Sequence, residues 1–268
     1  MKGNLSISSV AETNLGEETP VLDFLGSDFY LEGVRFKVLE GADYTSRTTD
    51  KEGVALLKDR RFFETELQVL QGIGDVSRIF ELGVWEGGSA ALWALTKPLT
   101  RYVGIDCRSV DLPFPESLRR HPRWDAVRLH GHVSQDDRAA LRRIVDEDFD
   151  GPLDLVVDDA SHLYAQSMAS FETLFPRLRP GGLYLIEDWA WAHRPQFQSP
   201  DAQWADQPAL SNLVMRLVML AASQFDLVTS ITIRPEFVAI TRGSAEIGDD
   251  FDMERLTLTR GRKLALLL

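Results

Sequence analysis

The sequence predicts an α/β protein with a parallel sheet that is covered by helices on both faces. Short apolar runs alternate with helical stretches from Ile79 onward, which is the pattern of such a sheet. Each run is apolar almost throughout, as expected for strands that are buried on both sides. The predicted strands are residues 78–82, 102–106, 126–130, 153–157 and 182–187.

The segments between these strands read as helices, and the sheet is predicted to end in a hairpin. Pro180-Gly181-Gly182 predicts a break before the fifth strand. Residues 227–233 and 236–241 are two further strand candidates, and Arg234-Pro235 between them indicates an antiparallel hairpin. The predicted helices are residues 88–96, 135–146, 164–178 and 207–225.

The chain divides into three predicted parts: an N-terminal extension over residues 1–60, the sheet domain over 61–243 and a C-terminal segment over 244–268. The extension is less regular, and a helix is predicted over 51–73. A lid over a bound cofactor, a dimer contact and a plain packing extension all fit its pattern.

The amino-acid composition limits which classes of binding partner are expected. The 268 residues are 44% hydrophobic and 26% charged, as in ordinary globular proteins. A net charge of -12 argues against nucleic acid or an anionic membrane as a partner and favours a neutral or cationic small substrate. Cys107 is the only cysteine, which excludes an internal disulfide. The first residues lack the apolar stretch of a secretory signal, and no apolar run approaches the roughly 20 residues of a membrane span, so a cytoplasmic location is expected.

A glycine-rich turn, ELGVWEGGS at 81–89, follows the first strand and leads into a helix. Glycines let the backbone approach a ligand closely, although tight packing of strand against helix is the plainer alternative. The spacing G-x-x-x-G-G differs from the dinucleotide pattern, and no P-loop lysine follows. Glu81 can accept hydrogen bonds from an ammonium group, and Asp106, at the end of the second strand, can accept them from ribose hydroxyls. His132 follows the third strand, where it borders an adenine or has a capping or surface role.

Acidic residues follow the fourth and fifth strands, in VVDDASH at 156–162 and LIED at 185–188. The carboxyl ends of parallel strands meet at one crevice, so these carboxylates should crowd together and repel. A divalent cation relieves that repulsion, and oxygen ligands suit magnesium, with manganese or calcium as alternatives. The predicted metal ligands are Asp159, Glu187 and Asp188. Asp158 is left as a helix cap or a cofactor neighbour.

His162 lies three positions after Asp159 and is predicted to face the same crevice, as a general base first and a metal ligand second. Trp189, Trp191 and Trp204 follow the fifth strand. They either pack on a substrate ring or anchor their loop to the core.

These motifs resemble those of the metal-dependent sugar O-methyltransferases of the macrocin and mycinamicin type. The matching pieces are ELGVWEGGS, VVDDASH and FPRLRPGGLYLIED at 175–188, and the resemblance covers about residues 60–240. It implies a class I methyltransferase sheet of order 3-2-1-4-5-7-6, with the last strand antiparallel. It further implies S-adenosylmethionine and magnesium as cofactors, a sugar hydroxyl as acceptor and a homo-oligomer.

In that family the aspartate of DxSH and both acids of the ED pair hold magnesium, and the histidine deprotonates the sugar. By motif these roles fall to Asp159, Glu187, Asp188 and His162. The expected cofactor-binding residues are Glu81, Gly83, Gly87, Gly88, Ser89, Asp106, His132 and Asp158.

Three other functions fit the sequence less well. A catechol-type O-methyltransferase would also bind a vicinal diol on a metal at these strand ends. A non-catalytic cofactor-binding partner subunit would not need the acids and the histidine together. A nicotinamide-dependent oxidoreductase is disfavoured by the glycine spacing.

Overall fold

The computed structural model describes residues 23–25, 28–39, 48–58, 62, 65, 66, 68, 69 and 75–266. These residues form a small N-terminal sheet of four strands and a large sheet of seven. The small sheet contains β1 (Asp23–Leu25), β2 (Asp28–Leu31), β3 (Val34–Val38) and β4 (Val54–Leu56). The large sheet contains β5 (Arg78–Leu82), β6 (Arg101–Asp106), β7 (Val127–Gly131), β8 (Leu153–Asp158), β9 (Leu178–Glu187), β10 (Val228–Ile233) and β11 (Phe237–Arg242).

The strands of the large sheet follow the order β10-β11-β9-β8-β5-β6-β7. When β5 to β11 are numbered 1 to 7 and the sheet is read from its β7 edge, the order is 3-2-1-4-5-7-6. β5 to β9 pair in parallel, whereas β11 is antiparallel to both β9 and β10. The predicted fold class and strand order are therefore confirmed.

Helices cover both faces of this sheet. They are α1 (Gly88–Thr96), α2 (Glu116–Arg119), α3 (Arg138–Asp148), α4 (Tyr164–Leu174), α5 (Ser211–Ser223) and α6 (Met253–Leu256). Leu141, Phe171 and Leu213 of α3, α4 and α5 pack on one face, and Trp93 of α1 packs on the other. Both clusters are fully buried, which accounts for the apolar runs in the strands.

The predicted break at Pro180-Gly181-Gly182 is wrong, because β9 begins at Leu178 and continues through these residues. The pairing with β8 shifts from Leu153 opposite Leu178 to Leu155 opposite Leu183, so the extra residues form a bulge. Gly181 has φ 78°, a conformation that glycine adopts without strain. The bulge accommodates residues that would otherwise end the strand.

The small sheet packs against α1, where Phe29 and Phe36 share a buried cluster with Leu92 and Leu95. The predicted helix over 51–73 is wrong at its start, because Val54–Leu56 form β4. The described residues between 62 and 69 have helical backbone, and the rest of 59–74 lies outside the described residues. Among the described helices, none is long and apolar enough to cross a membrane.

Candidate active site

A cleft of about 570 Å³ opens where β5, β6, β8 and β9 end. The residues that follow these strands form its walls, together with the end of the small sheet. Predicted site residues that line it are Gly83, Gly88, Ser89, Asp106, Asp159, His162, Glu187 and Asp188. The cleft therefore collects acids and glycines that are widely separated in the sequence.

The glycine turn is shaped by close backbone contacts. Gly83 has φ 88°, and a Cβ there would lie 2.2 Å from the carbonyl oxygen of Asp159. Gly87 has φ 78°, and a Cβ there would meet the Phe114 ring at 2.6 Å. Gly87 does not line the cleft, so its place in the structure is to close the turn. Gly83 instead packs against the loop that carries the acids.

Glu81 is fully buried beneath the cleft. The Tyr102 hydroxyl donates a hydrogen bond to Oε2 of Glu81, and Oε1 has no hydrogen-bond partner among the described residues. Burial raises the pKa of Glu81, against the opposing influence of Lys58. A buried acceptor without a donor is costly unless a ligand supplies one. Oε1 is therefore a candidate acceptor for an ammonium group, although Glu81 itself does not line the cleft.

Asp106 ends β6 and faces the cleft. Its carboxylate accepts hydrogen bonds from the backbone of Trp85 (2.9 Å) and Arg108 (2.8 Å), and from two nitrogens of the Arg108 guanidinium, both at 3.0 Å. Burial alone would raise the pKa of Asp106, but the Arg108 hydrogen bonds outweigh it and lower the pKa. A ligand that bound Asp106 would therefore share this carboxylate with Arg108. Arg108 was not predicted, although it follows the strand-end acid by two positions.

Besides Glu81 and Gly87, two further predicted cofactor residues, His132 and Asp158, do not line the cleft. The His132 side chain is exposed, with φ 60° at the turn after β7, and the following residues Val133, Ser134 and Gln135 face the cleft instead. The Asp158 side chain is buried elsewhere. The structure therefore gives no support to a direct cofactor contact by either side chain.

Asp158 instead anchors a buried polar network and does not cap α4. Gln135 donates to Asp158 Oδ1 at 2.6 Å, and the Ser170 hydroxyl donates to Oδ2 at 3.1 Å. Burial raises the pKa of Asp158 to about 6. The Gln135 side-chain oxygen in turn accepts a hydrogen bond of 2.6 Å from the Ser161 hydroxyl. Asp158 thus fixes, through Gln135, the residue that precedes His162.

Asp159, His162 and Asp188 form the group that can hold a metal ion. One ligand atom from each lies within 4.8 Å of the others. His162 and Asp188 have φ of 56° and 48°, a left-handed backbone conformation that residues other than glycine seldom adopt. Such strained residues are frequent at functional sites. Two carboxylates and an imidazole so arranged fit a divalent cation.

Glu187 is oriented differently. Its Oε1 lies 2.5 Å from Lys58 Nζ, which is also 3.7 Å from Glu66 Oε2 and 3.9 Å from Asp159 Oδ2. Burial raises the pKa of Glu187 to about 8, although Lys58 opposes this. Lys58 and Glu66 were not predicted, because no local motif marks them and Lys58 is 129 positions from Glu187.

Burial lowers the pKa of His162, although the nearby Asp188 acts in the opposite direction. The ring is therefore neutral near pH 7 and able to accept a proton. The backbone of Glu187 also lies near the ring and acts, like Asp188, to raise the pKa of His162.

The tryptophans after β9 anchor their loop. Trp191 packs edge-to-face on Phe197 and Trp204, each with ring centroids 5.1 Å away. The indole of Trp189 donates to the Arg234 carbonyl at 2.7 Å. None of Trp189, Trp191 and Trp204 lines the cleft, and the aromatic side chains that do are Phe62 and Trp85. The anchoring alternative is thus the one that the structure supports.

Residues 80–189 match the family model described as a methyltransferase domain. Together with the sheet order and the glycine turn, this match shows that residues 80–189 are similar to a methyltransferase domain and have the class I fold.

Within that class, the resemblance to sugar O-methyltransferases is confirmed. One relative is the 8-demethyl-8-alpha-L-rhamnosyl tetracenomycin-C 2'-O-methyltransferase of Streptomyces olivaceus, which is 38% identical over 112 residues, or 42% of this chain and 26% of the relative. Another is the mycinamicin VI 2''-O-methyltransferase of Micromonospora griseorubida, which is 37% identical over 127 residues, or 45% of this chain and 29% of the relative. The chain spans less than a third of the length of these two curated relatives.

A solved methyltransferase of the mycinamycin biosynthetic pathway, in complex with Mg, SAH and mycinamycin VI, is 27% identical to the chain. The superposition covers 65% of this chain and 45% of that one, with a TM-score of 0.48.

Proposed function

We propose that the protein is an S-adenosylmethionine-dependent and magnesium-dependent O-methyltransferase that acts on a sugar hydroxyl. The observation that carries this proposal is the Asp159, His162 and Asp188 group, which lies in the same cleft as the glycine turn. The names of both curated relatives, a rhamnosyl tetracenomycin and a mycinamicin methyltransferase, support a sugar-containing natural product as the substrate class.

The cofactor would lie along Gly83, Gly88 and Ser89, which line the cleft beside the turn. The free Oε1 of Glu81 would accept the ammonium group, and Asp106 would accept the ribose hydroxyls. S-adenosylmethionine supplies an already activated methyl group, so the protein needs to provide position and proton removal only.

The metal would be held by Asp159 and Asp188, with Glu187 as a further ligand that must share its carboxylate with Lys58. Magnesium, or manganese in its place, would make an acceptor hydroxyl easier to ionise. The Asp188 backbone N–H donates to the Glu236 carbonyl at 3.1 Å, and its carboxylate pairs with Arg194 at 2.8 Å, so a metal would share this carboxylate with Arg194.

His162 would act as the general base. A ring nitrogen would accept the proton of the acceptor hydroxyl, and the carboxylate of Asp188 would stabilise the imidazolium that forms. Because the cleft walls hold the acceptor oxygen near the cofactor, much of the acceleration would come from orientation.

Titration calorimetry with S-adenosylmethionine, S-adenosylhomocysteine and NAD tests the cofactor first. Methyl transfer to sugar diols and to catechols, with magnesium or with EDTA, then tests the reaction. We expect binding of the two methionine cofactors but not NAD, and turnover on sugars that EDTA abolishes. Binding of NAD alone, or turnover that is indifferent to EDTA, would contradict the proposal. The three-part domain division, the homo-oligomeric state and the cytoplasmic location stay predictions.

A further inference from the structure

Lys58 is a buried cation within the cluster of acids. Its side chain is 7% exposed, and its Nζ contacts carboxylates from three separate parts of the chain, Glu66, Asp159 and Glu187. The Phe62 ring covers it, with its centroid 5.2 Å from Nζ. Lysine is seldom buried to this extent unless it is paired, and here the pairing includes the predicted metal ligands.

The small N-terminal sheet fixes this lysine in place. Lys58 follows β4 by two residues, and β4 lies so close to α1 that a Cβ on Gly88 would be 2.2 Å from the Ala55 carbonyl oxygen. The backbone N–H of Thr49 donates to the Glu86 carboxylate at 3.0 Å, and the Thr49 hydroxyl donates to the Glu86 carbonyl at 2.8 Å. The small sheet is thus bonded directly to the glycine turn, and its end forms part of the cleft wall.

The Lys58 ammonium and a bound metal cation would compete for the same carboxylates. A cation that binds Asp159 must enter within a few ångströms of a lysine ammonium, and at such distances two positive charges repel strongly in a poorly solvated site. At the same time, the ammonium occupies one oxygen of Glu187 at 2.5 Å and so limits what this carboxylate offers to a metal.

We propose that Lys58 is a positioning residue that acts through Glu187, holding its carboxylate and lowering the affinity of the Asp159 and Asp188 site for a divalent cation. This inference rests on the proposed function, because it concerns the same metal site. The N-terminal sheet would then belong to the active site, where it sets how easily the metal exchanges.

The test is a titration of the full chain with Mn²⁺, in which free Mn²⁺ is measured by electron paramagnetic resonance in mildly alkaline buffer. Lys58→Gln removes the charge but can still donate a hydrogen bond to Glu187. We expect it to bind Mn²⁺ about tenfold more tightly than the unmodified protein, since one repelling charge is gone. Lys58→Met should show the same direction, and Lys58→Arg should restore the original affinity within a factor of about two.

Lys37→Met is the matched control. Lys37 also belongs to the small sheet and pairs with Asp50 at 2.7 Å, but it contacts none of the site acids in the described structure. Its removal should leave Mn²⁺ affinity unchanged. Unchanged or weaker Mn²⁺ binding in folded Lys58→Gln and Lys58→Met, checked by thermal unfolding, would overturn the inference.

Asp188→Asn separates this inference from the proposed function. If the unmodified protein binds Mn²⁺ and Asp188→Asn does not, the metal site stands, and the Lys58 variants alone decide the inference. If Asp188→Asn binds as well as the unmodified protein, the proposed metal site is wrong, and the role of Lys58 at it falls too.

Discussion

The indole Nε1 of Trp191 donates a hydrogen bond to the backbone carbonyl of His162 at 2.7 Å. Trp191 lies after β9 and His162 lies after β8, so this bond joins the two loops that carry the candidate base and the candidate metal ligands. His162 has φ 56°, a conformation that a neighbouring contact must hold in place. A buried indole with a fixed donor serves this purpose.

Trp191→Phe removes the donor and retains an aromatic ring against Phe197 and Trp204. We expect methyl transfer to fall by about one order of magnitude, because His162 loses its support, and stability to fall by about 1 kcal/mol. Steady-state kinetics and thermal unfolding measure the two effects. Trp189→Phe is the matched control, since its indole donates to Arg234 at the exposed rim. Equal losses in both variants would argue against a link through His162.

His162→Ala should abolish most of the turnover and leave cofactor binding intact. General-base catalysis contributes about 10²–10⁴-fold, and a loss of this size is expected in kcat. Calorimetry with S-adenosylhomocysteine should give the same affinity as in the unmodified protein. A variant with near-normal kcat would remove His162 from the reaction.

The pH dependence of kcat/KM follows from the same residue. Burial lowers the pKa of His162, and the base acts only when it is neutral, so the rise of activity with pH should be centred below about 6.5, the ordinary histidine value. A pH–rate profile of the unmodified protein checks this. An acid limb centred above the ordinary value would be the opposite of what burial predicts.

Asp106→Asn should weaken S-adenosylmethionine binding by about tenfold or more, because a carboxylate accepts two ribose hydroxyls better than an amide does. Arg108→Ala should have the opposite effect and tighten binding, since the guanidinium already occupies both Asp106 oxygens. Asp125→Asn, at an exposed aspartate, is the control. Calorimetry gives the affinities, and weaker binding by Arg108→Ala would instead make this arginine a cofactor contact.

Asp154→Asn should destabilise the protein by about 2 kcal/mol at neutral pH. The buried Asp154 carboxylate accepts hydrogen bonds from Arg179 Nε at 2.6 Å and from the backbone of Ser77 and Arg78 at 2.9 and 2.8 Å. Burial alone would raise the pKa of Asp154, but these donors outweigh it and lower the pKa. Hydrogen bonds to a charged group contribute about 1.5–3 kcal/mol each, and the amide retains part of them.

Because the folded pKa of Asp154 lies below the unfolded value, its stabilisation is complete above about pH 4 and is lost as the pH falls further. Urea unfolding at neutral and acidic pH should therefore show the difference between Asp154→Asn and the unmodified protein shrinking in acid. Asp150→Asn, in an exposed pair with Arg78, should cost little at any pH. A constant difference across the pH range would disagree with the lowered pKa.

The strands of the large sheet and half of the site could be predicted because strand positions and strand ends follow from apolar periodicity, whereas the strand order came from the resemblance to known methyltransferases. Residues at the ends of β8 and β9 must meet, which is why Asp159, His162 and Asp188 could be grouped. Asp158 could not be placed in the same way, because successive side chains of a strand point to opposite faces. Its side chain does not line the cleft and is instead buried behind Gln135, which donates a hydrogen bond to it.

Lys58 and Arg108 could not be found from motifs. Lys58 reaches Glu187 only because the small sheet packs on α1, and this tertiary contact leaves no local pattern in the sequence. Arg108 is placed by its pairing with Asp106, whereas an arginine that follows a strand is ordinarily a solvated surface residue. The bulge in β9 was missed because Pro and Gly ordinarily end a strand.

The close fit between Gly88 and Ala55 also limits how chains of this fold can be recombined. A chimera joined near residue 75 would combine the small sheet of one parent with the glycine turn of another. Any side chain at position 88 would then collide with foreign backbone. The segment that must be kept together in a chimera therefore extends from β4 through α1 and crosses the predicted boundary at residue 60. Exchanges of substrate-binding parts should leave this segment intact.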